Sequence, residues 1–194
     1  MIMKRLPIII DLETKHTFRD FADPKKLGIS VLALYDYNSN RGVTFLENEL
    51  NQSFSYFENA SYIIGYNIIS FDLPVFQAYY PGKVESFSVF DILEDVRGKI
   101  GRRLGLNDLV TATLNKKKTG HGLAAIDYFK NKEFDKLKKY CLDDVMLTKE
   151  LFDFGIKNKK IYYLTPVGKE EIKVDWGKYL SDNGKKSISL TLPF

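Results

Sequence analysis

The chain reads as an α/β protein: a mixed five-stranded sheet flanked by helices, with a small β appendage at the C-terminal end. Three observations predict this. Strand-like runs fill roughly the first ninety residues, helical periodicity takes over from Asp91, and short strand-like runs return near Lys160. With 194 residues, 44% of them apolar and 14% aromatic, the chain can bury one substantial core, and its length favours a single domain over two.

Residues 6–11 form a strand-like run, apolar and rich in isoleucine until it reaches Asp11, as suits a strand buried on both faces of a sheet. Gly28 to Tyr37 (GISVLALYDY) and Gly42 to Leu46 (GVTFL) form two further runs, and the turn chemistry of NSNRG between them makes a hairpin. A helix is expected over Asn48 to Ala60, then a fourth strand over Ser61 to Tyr66 and a fifth over Glu85 to Phe90, with a short helix opening at Pro74 between them. Helical patterns follow through DILEDVRGKI, LNDLVTATLNKK, GLAAIDYFKN and the long EFDKLKKYCLDDVMLTKELFDF. Residues 1–155 therefore form the main domain. Residues 156–194 form an extension, with KIYYL, EIKVDW and SISLTL as candidate strands and SDNGKK as a turn.

A formal charge of +4 and a pI near 8.9 are mildly basic, which suits a polyanionic partner and equally suits any lysine-rich soluble protein. The single cysteine, Cys141, cannot form an internal disulfide, so a reducing, cytoplasmic compartment is expected, and nothing has zinc-site spacing. The apolar run after MKRLP stops at Asp11, too short for a signal-peptide core, and no stretch approaches the roughly 20 apolar residues of a membrane span.

The carboxylates are more informative. Alternate side chains of a strand share a face, so Asp11 and Glu13 of IIIDLET project together from the end of the first strand. Alone, that pair also fits a strand running into a polar loop. Asp72, in GYNIISFDLPVF, sits at the mouth of a helix, where an ordinary acidic cap is the plain alternative. Asp144 lies four residues after Tyr140, on the stripe that holds Leu137, Cys141, Val145 and Leu151, whereas Asp143 sits above Lys139 on the solvated side. A carboxylate on a buried stripe needs a counter-charge, and no Lys or Arg lies on that stripe. Gathered at one sheet edge, Asp11, Glu13, Asp72 and Asp144 would repel by about 4 kcal/mol per pair at 4 Å and an effective dielectric near 20. Bound cations relieve that repulsion, and all-oxygen ligation selects Mg²⁺ or Mn²⁺ over zinc.

The three segments DLE, NIISFD and YCLDD, in that order, resemble the motifs of the DEDD 3′-to-5′ exonucleases of the ribonuclease H-like superfamily. Among twelve tyrosines only Tyr140 has an aspartate four residues on, which resembles the tyrosine subclass, and Lys139 stands where the histidine subclass carries its histidine. GYNIISFDLPVF is most similar to the proofreading domain of family B DNA polymerases and its stand-alone relatives, over roughly residues 6–155. The resemblance implies a free-standing nuclease of ribonuclease H-like fold that uses two divalent cations, Mg²⁺ or Mn²⁺. It implies Asp11 as ligand of both ions, Glu13 and Asp144 as ligands of the first, and Asp72 as ligand of the second, partly through water. Tyr140 would orient the attacking water, Asn67 and Phe71 would line the pocket for the terminal nucleotide, and Leu12 and Thr14 would touch the 3′ end. The implied partner is a single-stranded DNA 3′ end; RNA trimming keeps the same chemistry, and a non-catalytic nucleic-acid-binding domain is the reading from a different class.

Other features carry plainer readings. Asp91 and Glu94 have the spacing of a capping box, and His16 and His121 lack partners at ligand spacing. The basic runs Arg97 to Arg103 and Asn115 to Gly120 suit either a nucleic-acid backbone or a solvated surface. Ser189 to Phe194 (SLTLPF) resembles the hexapeptide by which bacterial replication and repair proteins bind the sliding clamp, with Ser189 in place of the usual Gln, and it also reads as an edge strand.

Overall fold

The computed structural model describes residues 5–117 and 124–180. His121, the strand expected in SISLTL and the clamp-like Ser189 to Phe194 lie outside them. Five strands, β1 (Ile8–Thr14), β2 (Ile29–Asp36), β3 (Arg41–Leu46), β4 (Ile63–Gly65) and β5 (Val89–Asp91), form one sheet in the order β3-β2-β1-β4-β5. β1 pairs antiparallel with β2 and parallel with β4, so the first strand sits at the centre, where the hairpin half meets the parallel half. That position explains its unbroken isoleucines. Ile8, Ile10 and Leu12 enter one core, Ile9 the other, and each core covers one face of the sheet.

The helices are α1 (Phe54–Asn59), α2 (Asp72–Phe76), α3 (Ile92–Ile100), α4 (Leu106–Leu114), α5 (Ala124–Lys130) and α6 (Phe134–Asn158). α6 packs across β1 and β2, with Leu137, Cys141, Val145, Leu151 and Phe152 buried, and α5 packs on α6 and β1. The opposite face is closed by α1, α2 and their aromatic rings, with Phe57 stacked on Phe76 at 4.3 Å.

Three expected elements before α3 differ. The helix predicted over residues 48–60 is a 3₁₀ segment, Glu47–Ser53, followed by α1. Leu50 and Ser53, three apart and both buried, share one side of a three-residue turn. The fifth strand begins at Val89 because Val84–Ser86 form a 3₁₀ turn whose groups bond locally: the Val84 N–H donates to the Gln77 side chain at 3.0 Å and the Ser86 hydroxyl to the Lys83 carbonyl at 2.6 Å. α2 opens at Asp72 rather than Pro74.

After α6 a hairpin follows, β6 (Lys160–Thr165) and β7 (Gly168–Lys173), joined by Pro166 and Val167. β7 starts earlier than EIKVDW suggests, at the turn that pairs Thr165 with Gly168, and ends earlier, because Val174 and Trp176 beyond it are buried in the core. Trp176 stacks on Phe152 at 5.9 Å, meets Phe90 edge-on at 5.8 Å and donates its indole N–H to Asp95 at 2.9 Å. Gly155 makes room for it: a Cβ there would lie 2.3 Å from the indole ring. Among the described residues, no helix is long and apolar enough to cross a membrane.

Candidate active site

Strand alternation puts Asp11 and Glu13 on the face of β1 that carries Ile9, under α6. Just beyond them the β1–β2 register slips: Glu13 pairs with Val31 and Thr14 with Ile29, so Ser30 is extra and donates its hydroxyl to the Glu13 carbonyl at 3.0 Å. Such a bulge re-aims the side chains at a strand end. From above, α6 lowers Asp144, only 2% exposed, one turn after Tyr140. Asp11, Glu13 and Asp144 each offer an oxygen, and the three atoms lie within 4.8 Å of one another.

This donor set suits a hard divalent cation. Octahedral Mg²⁺ with bonds of ~2.1 Å holds oxygens ~3.0 Å apart in cis and ~4.2 Å in trans, so an ion here would draw carboxylates up to 4.8 Å apart together by no more than about 1.8 Å, within reach of side-chain rotation. Without an ion, each pair would repel by roughly 3–4 kcal/mol at an effective dielectric near 20.

Asp72 stands beside this triangle, not in it. Its carboxylate, buried as the first residue of α2, accepts the Leu12 N–H at 3.1 Å. Burial, then the charge of Asp11, pushes its carboxyl well above the usual range. Cys141 lies against the site from α6, its thiol 3.4 Å from the Asp11 carbonyl and 3.7 Å from the Asp11 carboxylate. Burial and the surrounding acids, Asp11 first, push the thiol well up, so it donates to Asp11 as a neutral S–H. Its place beside Asp144 on the buried stripe was legible; its bond to Asp11 was not.

The Asn67 loop is braced from two sides. Asn67 adopts a left-handed backbone (φ 68°), which asparagine tolerates, and its side-chain carbonyl accepts from Arg103 at 2.7 Å. Asp91 accepts the N–H groups of Asn67 at 2.9 Å and Ile69 at 3.0 Å while it caps α3 through Leu93 at 2.9 Å. Burial raises the Asp91 carboxyl, and its backbone donors pull it the other way. The capping role was predicted; the hold on the Asn67 loop was not. Of the basic run, Arg97 and Lys99 pair locally with Glu94 and Asp95, and Arg103 alone among these three reaches the loop.

Two residues expected at the 3′ end turn their side chains away from the carboxylates. The alternation that aims Asp11 and Glu13 at α6 sends Leu12 and Thr14 to the opposite face, where they are 3% and 8% exposed. Leu12 belongs to the core under α1 and α2, and the Thr14 hydroxyl donates to the His16 carbonyl at 2.7 Å. Phe71 is half-buried at the rim, with the exposed Phe18 ring edge-on at 5.7 Å. Asp143 pairs with Lys139 at 2.6 Å, as its register predicts.

Neither a protein-family model nor a curated protein matches the sequence. Among solved structures, the chain is similar to the family B DNA polymerase from the hyperthermophilic archaeon Pyrobaculum calidifontis, with a TM-score of 0.59 and 19% identity over 77% of this chain and 24% of that one. The chain thus spans about a quarter of that polymerase's length. The likeness is one of fold: a mixed five-stranded sheet flanked by helices, consistent with the ribonuclease H-like architecture.

Proposed function

We propose that the protein is a metal-dependent 3′-to-5′ exonuclease of the DEDD tyrosine type, removing nucleoside 5′-monophosphates from a single-stranded DNA end. The observation that carries this reading is the convergence of Asp11, Glu13 and Asp144 within 4.8 Å at the end of the central strand. In this reading those three residues hold Mg²⁺ or Mn²⁺, and Asp72 serves a second ion beside Asp11. When bound, such a pair of ions supplies Lewis acidity at the attacking and departing oxygens of the phosphodiester.

The chain's own groups do the rest. Tyr140, one helical turn before Asp144, orients the attacking water through its hydroxyl. Asn67, held by Arg103 and Asp91, and Phe71, at the rim, receive the terminal nucleotide. Cys141 steadies the Asp11 carboxylate. The fold's likeness to a DNA polymerase tilts the substrate towards DNA.

The test is digestion of end-labelled single-stranded DNA and RNA by the pure protein with Mg²⁺, Mn²⁺ or EDTA. Mononucleotides released from DNA in the metal lanes alone are expected. Release from RNA alone would reassign the substrate, and intact oligonucleotides in every lane would overturn the reading.

A further inference from the structure

A groove opens where the chain leaves β1. Residues 15–20 leave the bulged end of β1 and face helix α5, and the space between them is about 710 Å³, lined by Lys15, His16, Phe18, Arg19 and Lys130 among others. Lys15 ties the loop to the body, pairing with Glu47 and lying over the Phe129 ring of α5 at 5.3 Å. The acids of the groove are Asp20 and Asp127. Asp20 is turned into its own loop, accepting the Thr17 N–H at 2.8 Å and the Thr17 hydroxyl at 3.0 Å.

That bonding gives the loop a fixed shape. The Arg19 N–H donates to the Thr17 hydroxyl at 3.2 Å, and Phe21 meets His16 edge-on at 5.1 Å. The loop thus presents Phe18, 54% exposed, on a prepared support, and the ring edge touches Phe71, the residue before Asp72. Phe18 lines the groove on one side and meets Phe71 on the other.

We propose that this groove holds the single strand on the 5′ side of the scissile phosphate, with Phe18 stacking on a base and Arg19 and Lys130 meeting phosphates. The chemistry selects that occupant. An exposed aromatic face among cations matches a polyanion whose bases are unpaired, and a duplex would offer the ring no base face. Direction follows from the proposed exonuclease activity, on which this inference rests: with the terminal nucleotide at Asn67 and Phe71, every remaining nucleotide lies 5′ of the cut.

The experiment measures anisotropy of a 5′-labelled dT 12-mer with Ca²⁺ across a salt series, together with kcat/KM on the 12-mer and on a dinucleotide with Mg²⁺. Phe18→Ala should weaken 12-mer binding about 10-fold and shrink the 12-mer to dinucleotide ratio of kcat/KM by a similar factor, and Phe18→Trp should restore both. The double variant Arg19→Ala/Lys130→Ala should flatten the slope of log K against log salt by about 1.4, or 0.7 per phosphate contact. Digestion by the wild type with both variants binding like it would overturn the groove alone. No digestion by the wild type would overturn the exonuclease reading, whatever the variants bind.

Discussion

The Asp72 carboxylate accepts the Leu12 N–H at 3.1 Å, across sixty positions of sequence, and so pins the start of α2 to the strand that carries Asp11 and Glu13. Its folded pKa is raised, first by burial and then by Asp11. The native state therefore keeps a proton that the unfolded chain has lost above about pH 4, and stability falls as pH climbs from there through the raised value. Metal-free protein is expected to melt at a lower temperature at pH 8 than at pH 5. Asp72→Asn, which keeps an acceptor for Leu12, should flatten this dependence. Calorimetry in EDTA checks it, and an unaltered slope in the variant would assign the effect elsewhere.

Mg²⁺ should reverse the penalty. At a hundredfold excess over Kd, an ion that binds only the folded site adds roughly 2.7 kcal/mol, or about 5–10 °C in Tm for a chain of this size. Asp144→Asn should abolish most of that gain and lower kcat by at least about 10³-fold, the loss of several kcal/mol of charge stabilisation. Tyr140→Phe should cost on the order of 10²-fold in kcat through a misplaced water, with the Mg²⁺ shift retained. A Tm gain undiminished in Asp144→Asn would detach the metal from this helix.

Asp91 separates two roles by a simple swap. At an ordinary N-cap, Asn serves as well as Asp. Here both carboxylate oxygens accept N–H groups, from Asn67 and Leu93 on one and Ile69 on the other, so an amide would turn an NH₂ against a donor. Asp91→Asn is expected to cost about 1–3 kcal/mol in urea unfolding, near the cost of Asp91→Ala, and to raise KM more than it lowers kcat. A neutral swap would reduce Asp91 to a cap.

Gly155→Ala tests the C-terminal seam. Alanine favours a helix interior by about 1 kcal/mol, yet its Cβ would sit 2.3 Å from an indole that Phe90, Phe152 and Asp95 hold in place. Overpacking of about 1–3 kcal/mol outweighs the propensity gain, so a net loss is expected by urea titration.

Much of this site was legible because two periodicities decide it. Period two pairs Asp11 with Glu13, and helical register lifts Asp144 onto the stripe with Cys141 and Val145 while leaving Asp143 to Lys139. The same alternation turns the Leu12 and Thr14 side chains to the opposite face. Asp91's hold on Asn67 and Ile69 joins residues 24 and 22 positions apart, which no local pattern encodes. The 3₁₀ turn at Val84–Ser86 escaped because a run of strand-compatible residues gives no sign that its polar groups will bond locally.

Trp176 is the chain's one tryptophan, and it is 1% exposed between the late helix and the hairpin that follows it. An indole so enclosed emits towards the blue and shifts red once water reaches it. The protein thus has a built-in optical gauge of whether its C-terminal seam is closed. A variant that loses catalysis while its emission maximum stays put has been altered in chemistry and not in assembly.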